Sequence, residues 1–319
     1  MPKIAIVDKI HQDGINLLKN NSKFECEIIE DLSKKNLISK LPAFDGITLR
    51  RGKIDAEILE KCKKLKVISR HGVGFDNVDI KYLKKNNIKL LVTSTTTSVS
   101  PSEHIMFMIL NISKGIDFFD KAVRNGKFGS VMHMTHNNFE LLNKKILIIG
   151  FGRIGKKLIK RCLGFEMEIH VYDPYVSSKI IESFGGKKIN DLSSNLKKTD
   201  FLTIHMPLNK DTKNLINLKT LKTMKKEAII VNTARGGIIN EHDLNEALNK
   251  KYIFAAGLDV FEKEPPDSNN PLLKNERVLL SPHSATFTKE CKSRMSIETV
   301  QNLIDFFENK INDNMIYKL

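Results

Sequence analysis

The stretch Gly150-Phe151-Gly152-Arg153-Ile154-Gly155 decides the fold of this chain. It follows an apolar run at residues 146–149, and 18 residues after Gly155 the acidic residue Asp173 closes a second apolar run at 169–172. A strand, a glycine turn, a helix start and a second strand that ends in a carboxylate form the outline of a dinucleotide-binding unit. The sequence therefore predicts an α/β fold with a parallel sheet.

The same stretch predicts which cofactor is bound. Glycines let the backbone approach a pyrophosphate, and a helix that begins near Arg153 directs its free N–H groups and positive dipole end at that anion. Asp173 would accept hydrogen bonds from a ribose diol and repel a 2′-phosphate, which favours NAD over NADP. An ordinary glycine-rich turn is the alternative, and the spacing argues against it. The predicted cofactor residues of this stretch are Gly150, Gly152, Arg153, Ile154, Gly155 and Asp173.

Apolar runs alternate with helical patterns along the 319 residues, which is typical of parallel sheets with crossover helices. The length suggests two domains. Five strands are expected in a first unit and six in a second, at residues 4–7, 24–29, 46–49, 67–69 and 89–92, then 146–149, 169–172, 201–205, 228–232, 254–259 and 278–281. We predict two Rossmann-like parallel-sheet domains: a smaller, discontinuous substrate domain (1–99 and 288–319) and an NAD-binding domain (100–287).

Two helices are predicted from their end signals and periodicity. Ser100-Pro101-Ser102-Glu103 suggests a Ser100 N-cap, a proline at the first helical position and a glutamate three residues after the cap. The helix after it is expected to run to about Asn125. A last helix over residues 288–310 is expected to pack on the first unit.

Composition argues against several classes of partner. Lys and Arg number 52 against 37 Asp and Glu, a net charge of +15, but the lysines are dispersed and Trp is absent, so we expect a solvated surface and no nucleic-acid partner. The longest later apolar run, 105–110, is too short to span a bilayer. The start of the chain reads as a strand rather than a secretory leader.

The four cysteines stand far apart and show neither a disulfide framework nor zinc spacing. We therefore expect reduced thiols, a cytoplasmic protein and no metal. His133 and His136 stand three residues apart, and the sequence offers no third ligand beside them.

Three side chains near predicted strand ends could carry acid chemistry. Arg235 follows a strand and precedes Gly236-Gly237, where its guanidinium could bind a carboxylate through two parallel hydrogen bonds. His283 also follows a strand, and a histidine can exchange a proton with a carbonyl or hydroxyl oxygen. A carboxylate beside it, such as Glu264, favours the protonated imidazole. Taken singly, each of the three is more often a structural polar residue.

Six segments in unbroken order resemble the D-isomer-specific 2-hydroxyacid dehydrogenases of the phosphoglycerate dehydrogenase type. They are residues 72–79, the glycine stretch with Asp173, residues 205–208 with Thr212, residues 232–237, residues 257–261 with Glu264-Pro265, and Pro282-His283. Six segments in register are far more specific than any one of them.

The resemblance implies a catalytic set of Arg235, Glu264 and His283, with backbone N–H groups of Val73 and Gly74 binding the substrate carboxylate. It implies that Asp259 holds the nicotinamide carboxamide. Further cofactor contacts are implied at His205, Pro207, Thr212, Thr233, Ala234, Arg235 and His283. It also implies a homodimer, with contacts from the helix that starts at Ser100 and from residues 131–138.

The substrate stays open within this family. Arg50 and Arg51 end a strand where phosphoglycerate enzymes place a phosphate-binding arginine, so 3-phosphoglycerate is the first substrate predicted and serine biosynthesis the implied process. Glyoxylate, hydroxypyruvate or another small anionic acid fits the same charges. A formate dehydrogenase would be expected to have Gln at position 264. An NAD-sensing protein of the corepressor kind is the alternative of another class.

Overall fold

The structure is a computed structural model that describes residues 1–93, 96–134 and 138–317. His136, together with the rest of 135–137 in the predicted dimer contact, therefore lies outside the described residues. The chain divides into two compact units, Met1–Thr97 with Phe287–Leu319, and Ser98–Thr286. In its first stretch, the first unit alternates strands and helices: β1 (Lys3–Val7), α1 (Gln12–Lys19), β2 (Glu25–Ile29), α2 (Lys34–Lys40), β3 (Gly46–Leu49), α3 (Ala56–Lys61), β4 (Val67–Arg70), α4 (Ile80–Lys85) and β5 (Lys89–Val92).

The five strands of the first unit form one parallel sheet in the order β2-β1-β3-β4-β5. The predicted five strands are thus confirmed. β3 is buried along its whole length, as expected for a parallel strand that is covered on both faces. The strand order reverses between β1 and β3, and ligands of such sheets bind at the carboxyl ends of strands beside that point.

The second unit begins with helices and then builds a larger sheet. Its elements are α5 (Val99–Lys114), α6 (Ile116–Arg124), α7 (Phe128–Met132), β6 (Lys145–Ile149), α8 (Arg153–Gly164), β7 (Glu168–Tyr172), α9 (Ser178–Ser183), β8 (Lys187–Lys188), α10 (Leu192–Leu196), β9 (Phe201–Ile204), α11 (Leu218–Leu221), β10 (Ile229–Asn232), α12 (Glu241–Asn249), β11 (Ala255–Leu258) and β12 (Val278–Leu280).

Within the part of the chain that the structure describes, the second sheet is parallel and has seven strands in the order β12-β11-β10-β9-β6-β7-β8. Six strands were predicted here, so that number was wrong by one. The seventh, β8, consists of two lysines paired with β7, and a two-residue polar strand has no apolar run that a sequence could show. The order reverses between β6 and β9, which places the expected cofactor position beside the glycine turn after β6.

The predicted start of α5 was wrong. The helix begins at Val99 after the N-cap residue Ser98, so Ser100 already lies inside the helix. The Ser100 hydroxyl donates to the carbonyl of Ala285 at 2.5 Å instead of capping the helix. The single helix to Asn125 was also wrong, because Gly115 adopts a left-handed backbone (φ 61°) that ends α5 and lets α6 begin in a new direction.

The last helix, α13 (Lys289–Phe307), belongs to the first unit and packs on α1 and β4. Thr288 caps it by accepting a hydrogen bond from the Cys291 N–H. The contact with α1 is close: a Cβ on Gly14 would lie 2.2 Å from the Ser296 hydroxyl, so only glycine fits there.

Three further features bear on function. Within residues 1–93, 96–134 and 138–317, no helix combines the length and apolar character needed to cross a membrane. In the same described ranges, no three His, Cys, Asp or Glu side chains are grouped so that they could hold a metal ion. The four cysteines are free thiols.

Candidate active site

The glycine turn after β6 has the geometry that a pyrophosphate requires. Gly150 adopts φ 94°, and a Cβ on it would lie 2.7 Å from the His205 carbonyl oxygen. A Cβ on Gly155 would lie 2.7 Å from the Gly150 carbonyl oxygen, so this glycine allows α8 to start close to the turn. Around the corresponding position on Gly152, the N-cap of α8, no atom of the described residues lies within 4 Å. The turn is therefore open at the helix N-terminus, where an anion binds.

Asp173 lies just after β7 and is hydrogen-bonded to the glycine turn. Its Oδ2 accepts from the Phe151 N–H at 2.8 Å, and its Oδ1 accepts from the Tyr175 N–H at 2.8 Å. These two bonds fix the carboxylate beside the turn, and each oxygen can accept a second hydrogen bond. The arrangement fits a ribose diol. Arg153, the first residue of α8, is exposed, and Ile154 packs on the core beneath.

Buried polar atoms without hydrogen-bond partners lie after β9 and β10. Both ring nitrogens of His205 and the hydroxyl of Thr233 are buried and have no partner within the described ranges. Burial lowers the pKa of His205 to about 3, so this imidazole is neutral. Such orphaned groups at strand ends are consistent with a site that a ligand completes.

The loop after β9 is closed by its own hydrogen bonds. The Thr212 hydroxyl donates to the Pro207 carbonyl at 2.7 Å and accepts from the Asn209 N–H at 2.8 Å. Thr212 thus shapes the segment that contains Pro207, and Pro207 itself is exposed.

His283 and Glu264 are in direct contact. The Nδ1 of His283 lies 2.7 Å from Oε2 of Glu264, and the side chains are 48% and 38% exposed. An ionised carboxylate can only accept, so Nδ1 carries the hydrogen and Nε2 is left to exchange a proton with a substrate oxygen. The structure therefore brings these two sequence-predicted residues together as a hydrogen-bonded pair.

The pKa of Glu264 is below its ordinary value. Burial raises it, but the hydrogen bond and charge of His283, the Phe261 N–H and the charge of Arg235 together lower it by more. Glu264 is therefore ionised at neutral pH. The effect of Arg235 also shows that the guanidinium lies near this pair.

Arg235 is held by the turn that follows β10. The Asn232 amide donates to the Arg235 carbonyl at 2.8 Å and accepts from the Ala234 N–H at 3.0 Å. The Arg235 Nη1 donates to the Ala234 carbonyl at 2.6 Å. Gly236 lets the turn pack on the next loop, because a Cβ there would lie 1.9 Å from the Phe261 carbonyl group. Phe261 in turn donates its N–H to Glu264 at 3.2 Å.

Asp259, which follows β11, is completely buried. Its Oδ1 accepts from the Ser281 hydroxyl at 2.6 Å and from the Ser284 N–H at 2.7 Å, and its Oδ2 accepts from the Ala285 N–H at 2.9 Å. The structure therefore shows Asp259 bound to the turn that carries His283, whereas the nicotinamide contact that the resemblance implies is still a prediction.

In the first unit, charged residues meet at the carboxyl ends of β1 and β3. Nη1 of Arg50 lies 3.3 Å from the Asp8 carboxylate and also donates to the Lys9 carbonyl. Arg51 forms a fork on the same carboxylate, with Nε at 2.6 Å and Nη2 at 3.1 Å. Asp8 therefore offsets part of the positive charge predicted to bind a phosphate.

The Val73-Gly74 turn follows β4 in the same unit. Gly72 precedes it with φ 129°, and its N–H donates to the Thr93 hydroxyl at 2.7 Å. Val73 is half exposed. Just before the turn, His71 is buried, and its Nε2 has no hydrogen-bond partner among the described residues. Its pKa falls to about 3 because of burial and the charges of Arg50 and Arg70.

Several residues of these sites were missed by the sequence analysis. They are Asp8, Arg70, His71, His104, Asn232 and Ser281. Five of them end or directly follow a strand, which is a signal that a sequence shows. His104 lies on α5 and contacts Ser281, which stands 177 positions later in the chain, so no local sequence pattern links the two residues.

A family model described as "D-isomer specific 2-hydroxyacid dehydrogenase, NAD binding domain" matches residues 106–285, more than half of the chain. The chain belongs to this family of dehydrogenases. The matched region is the family's NAD-binding domain, and the open glycine turn with Asp173 beside it fits that cofactor.

Relatives agree on the family and differ in their named substrates. The D-3-phosphoglycerate dehydrogenase of Methanocaldococcus jannaschii is 35% identical over 99% of this chain, which spans only 59% of that protein. The glyoxylate reductase of Korarchaeum cryptofilum is 32% identical over 99% of this chain and 96% of its own length. The NAD-dependent formate dehydrogenase of Staphylococcus aureus, solved in complex with NAD, has a TM-score of 0.86 at 26% identity and 99% coverage of both chains.

Proposed function

We propose that this protein is an NAD-dependent dehydrogenase that interconverts a small D-2-hydroxy acid and its 2-keto acid. The observation that carries the proposal is the His283–Glu264 pair, with 2.7 Å between Nδ1 and Oε2 and with Arg235 close enough to lower the pKa of Glu264. A keto acid needs a proton donor at its carbonyl, which His283 held by Glu264 can supply. It also needs a cation at its carboxylate, which the guanidinium of Arg235 can supply.

The residues have separate roles in the proposal. NADH, when bound, supplies hydride to C2 of the keto acid. His283 donates the proton on Nε2 to the carbonyl oxygen during reduction and takes it back during oxidation. Glu264 accepts the Nδ1 hydrogen and stabilises the imidazolium before transfer.

Candidate substrate-binding residues are proposed in each unit by itself. In the second unit, Arg235 binds a substrate carboxylate through its planar guanidinium. In the first unit, the family resemblance implies that the backbone N–H groups of Val73 and Gly74 bind a carboxylate, and Arg50 is proposed to bind a charged group of the substrate.

Cofactor binding is assigned to the carboxyl edge of the second sheet. The glycine turn and the start of α8 bind the pyrophosphate, and Asp173 binds the adenosine ribose. The strand-end loops line the rest of the site, through His205, Pro207, Thr212, Thr233, Ala234, Arg235, Asp259 and His283. The orphaned ring nitrogens of His205 and hydroxyl of Thr233 support this assignment.

Two classes of substrate are proposed, one phosphorylated and one unphosphorylated. Arg50 and Arg51 favour 3-phosphoglycerate, and with it a role in serine biosynthesis. The contacts of both arginines with Asp8 favour an unphosphorylated acid such as glyoxylate or hydroxypyruvate, because that carboxylate already occupies guanidinium donors.

We also propose a cytoplasmic homodimer. Exposed apolar side chains on α6 and α7 support the dimer: Ile116 is 50%, Val123 49%, Phe128 60% and Met132 58% exposed. Exposed apolar side chains on two helices in contact are typical of an interface. Sedimentation at micromolar concentration tests the dimer, and Phe128→Ser with Met132→Ser should shift it toward monomer.

The test of the function is NADH oxidation with a panel of glyoxylate, hydroxypyruvate and 3-phosphohydroxypyruvate. We expect turnover of roughly 1 per second or more with at least one of them. Binding of NADH without turnover on the whole panel would refute the proposal and favour an NAD sensor. The ratio of kcat/KM between the phosphorylated and unphosphorylated acids decides the substrate.

A further inference from the structure

The turn that carries His283 adopts an unusual backbone. His283 has φ 51°, in the left-handed region that residues other than glycine rarely adopt. Its N–H donates to the Asp259 carbonyl at 2.8 Å. The direction of the imidazole depends on this backbone, so other contacts have to hold the turn in place.

Asp259 holds the turn on both sides of His283. Its Oδ1 accepts from the hydroxyl of Ser281, two residues before, and from the N–H of Ser284, the residue after. Its Oδ2 accepts from the Ala285 N–H. A completely buried carboxylate needs such donors, since each unmet hydrogen bond of a buried charge is costly.

Helix α5 contacts the same turn through two side chains. Ser100 donates its hydroxyl to the Ala285 carbonyl at 2.5 Å, and Nε2 of His104 lies 2.9 Å from the Ser281 hydroxyl oxygen. These residues are four apart, so they share one face of the helix. The two contacts bracket the segment 281–285.

The hydrogen bonds fix which nitrogen of His104 carries the proton. Ser281 has one hydroxyl hydrogen and donates it to Asp259 at 2.6 Å. Its oxygen can then only accept from His104, so Nε2 of His104 is the donor. The same Nε2 lies 3.8 Å from Oδ1 of Asp259. His104 therefore orients the Ser281 hydroxyl toward the carboxylate.

We propose that His104 is a positioning residue for His283, acting through Ser281 and Asp259. In this network the N–H of His104 holds the Ser281 hydroxyl, that hydroxyl holds the carboxylate, and the carboxylate holds the backbone on either side of His283. Loss of the first donor lets the turn sample other conformations, in which the imidazole is misdirected. The consequence for catalysis rests on the proposed function.

Two substitutions at His104 test the role. His104→Leu removes the donor, whereas His104→Gln keeps an N–H at a similar reach. We expect His104→Leu to lower kcat by about tenfold, with the dissociation constant for NADH changed by less than about twofold. His104→Gln should recover most of kcat. Glu103→Gln is the control, because Glu103 lies next on α5 and pairs with Arg161.

A double-mutant cycle tests the route through Ser281. If His104 acts through Ser281, the double variant His104→Leu with Ser281→Ala should have a kcat within about twofold of the lower of the two single-variant values. If the kcat losses of the two single variants multiply in the double variant, His104 acts independently of Ser281 and the proposal is overturned. Unchanged kcat in His104→Leu, or equal losses in the Leu and Gln variants, would also overturn it.

Amide hydrogen exchange supplies a measurement that does not depend on turnover. The N–H groups of Ser284 and Ala285 should exchange at least about tenfold faster in His104→Leu than in the wild type, with His104→Gln close to the wild type. A wild type without turnover would refute the proposed function, and the exchange rates would still decide the role of His104. Unchanged exchange in a folded His104→Leu would refute the network itself.

Discussion

The two sheets of this molecule both place charged side chains at the carboxyl ends of their strands, yet those charges are used differently. After β1 and β3, Asp8 is only 8% exposed and receives contacts from Arg50 and Arg51. After β11 and β12, the side chains of Glu264 and His283 stay 38% and 48% exposed, and the imidazole contacts the carboxylate through Nδ1 alone. The carboxylate of Asp8 offsets part of the positive charge in the first cluster, whereas the second cluster keeps Nε2 of His283 available for a proton.

The comparison shows that position at a strand end is not enough to make a charged group reactive. A reactive group also needs an atom that its neighbours do not satisfy and that a substrate can reach. The second sheet achieves this because Asp259 holds the backbone of the His283 turn and leaves the imidazole outside. Four substitutions can break or sharpen this contrast.

The largest effect is expected at Arg235. Arg235→Lys keeps the positive charge but loses the planar fork that binds a carboxylate through two hydrogen bonds. We expect kcat/KM for the keto acid to fall by about 100-fold. Steady-state kinetics measure this, with Arg161→Lys as the matched control on α8. An unchanged kcat/KM would remove Arg235 from the site.

Glu264→Gln tests the pair itself. Glu264, with its lowered pKa, is a carboxylate throughout the neutral range, and its charge favours the protonated imidazole that reduction requires. Gln removes that charge, so kcat for reduction at pH 7 should fall by about tenfold in steady-state kinetics.

Oxidation requires the neutral imidazole, so its rate near pH 7 should suffer less than reduction in Glu264→Gln. Glu262→Gln is the control, since Glu262 accepts from the N–H of Glu241 rather than binding His283. Rates of reduction and oxidation that both match the wild type would leave Glu264 without a catalytic role.

Asp173→Ala concerns the cofactor side of the second sheet. It removes a carboxylate that would bind a ribose diol and repel a 2′-phosphate. KM for NADH should rise by about tenfold, the effect of losing one charge-assisted hydrogen bond. KM for NADPH should rise less, so the preference for NADH over NADPH becomes smaller. A wild type that already prefers NADPH would contradict the assignment.

The smallest effect is expected in the first unit. Asp8→Asn removes the anion that offsets Arg50 and Arg51, and Asn tolerates the φ of 67° at this position. KM for 3-phosphohydroxypyruvate should fall by about threefold, in line with the modest strength of partly exposed ion pairs. KM for glyoxylate should not change. Equal changes for both acids would show that these arginines do not bind a phosphate.

Much of the fold followed from local sequence signals. The glycine stretch at 150–155, Asp173 and the apolar runs predicted parallel sheets and the cofactor unit, because each signal acts within one strand–turn–helix segment. The five strands of the first sheet were predicted for the same reason. The two-lysine strand β8 was missed, since it forms only by pairing with its neighbour.

The sequence by itself determined the strands of both sheets except β8, the cofactor turn and the identity of Arg235, Glu264 and His283 as candidates. Only the tertiary structure decided which groups bind one another. Ser100 has the sequence signature of a helix cap, yet its hydroxyl binds Ala285, and His104 reaches Ser281 across 177 residues. Asp8 likewise lies 42 residues before Arg50. Hydrogen bonds between distant segments depend on packing in three dimensions, which a local sequence pattern does not predict.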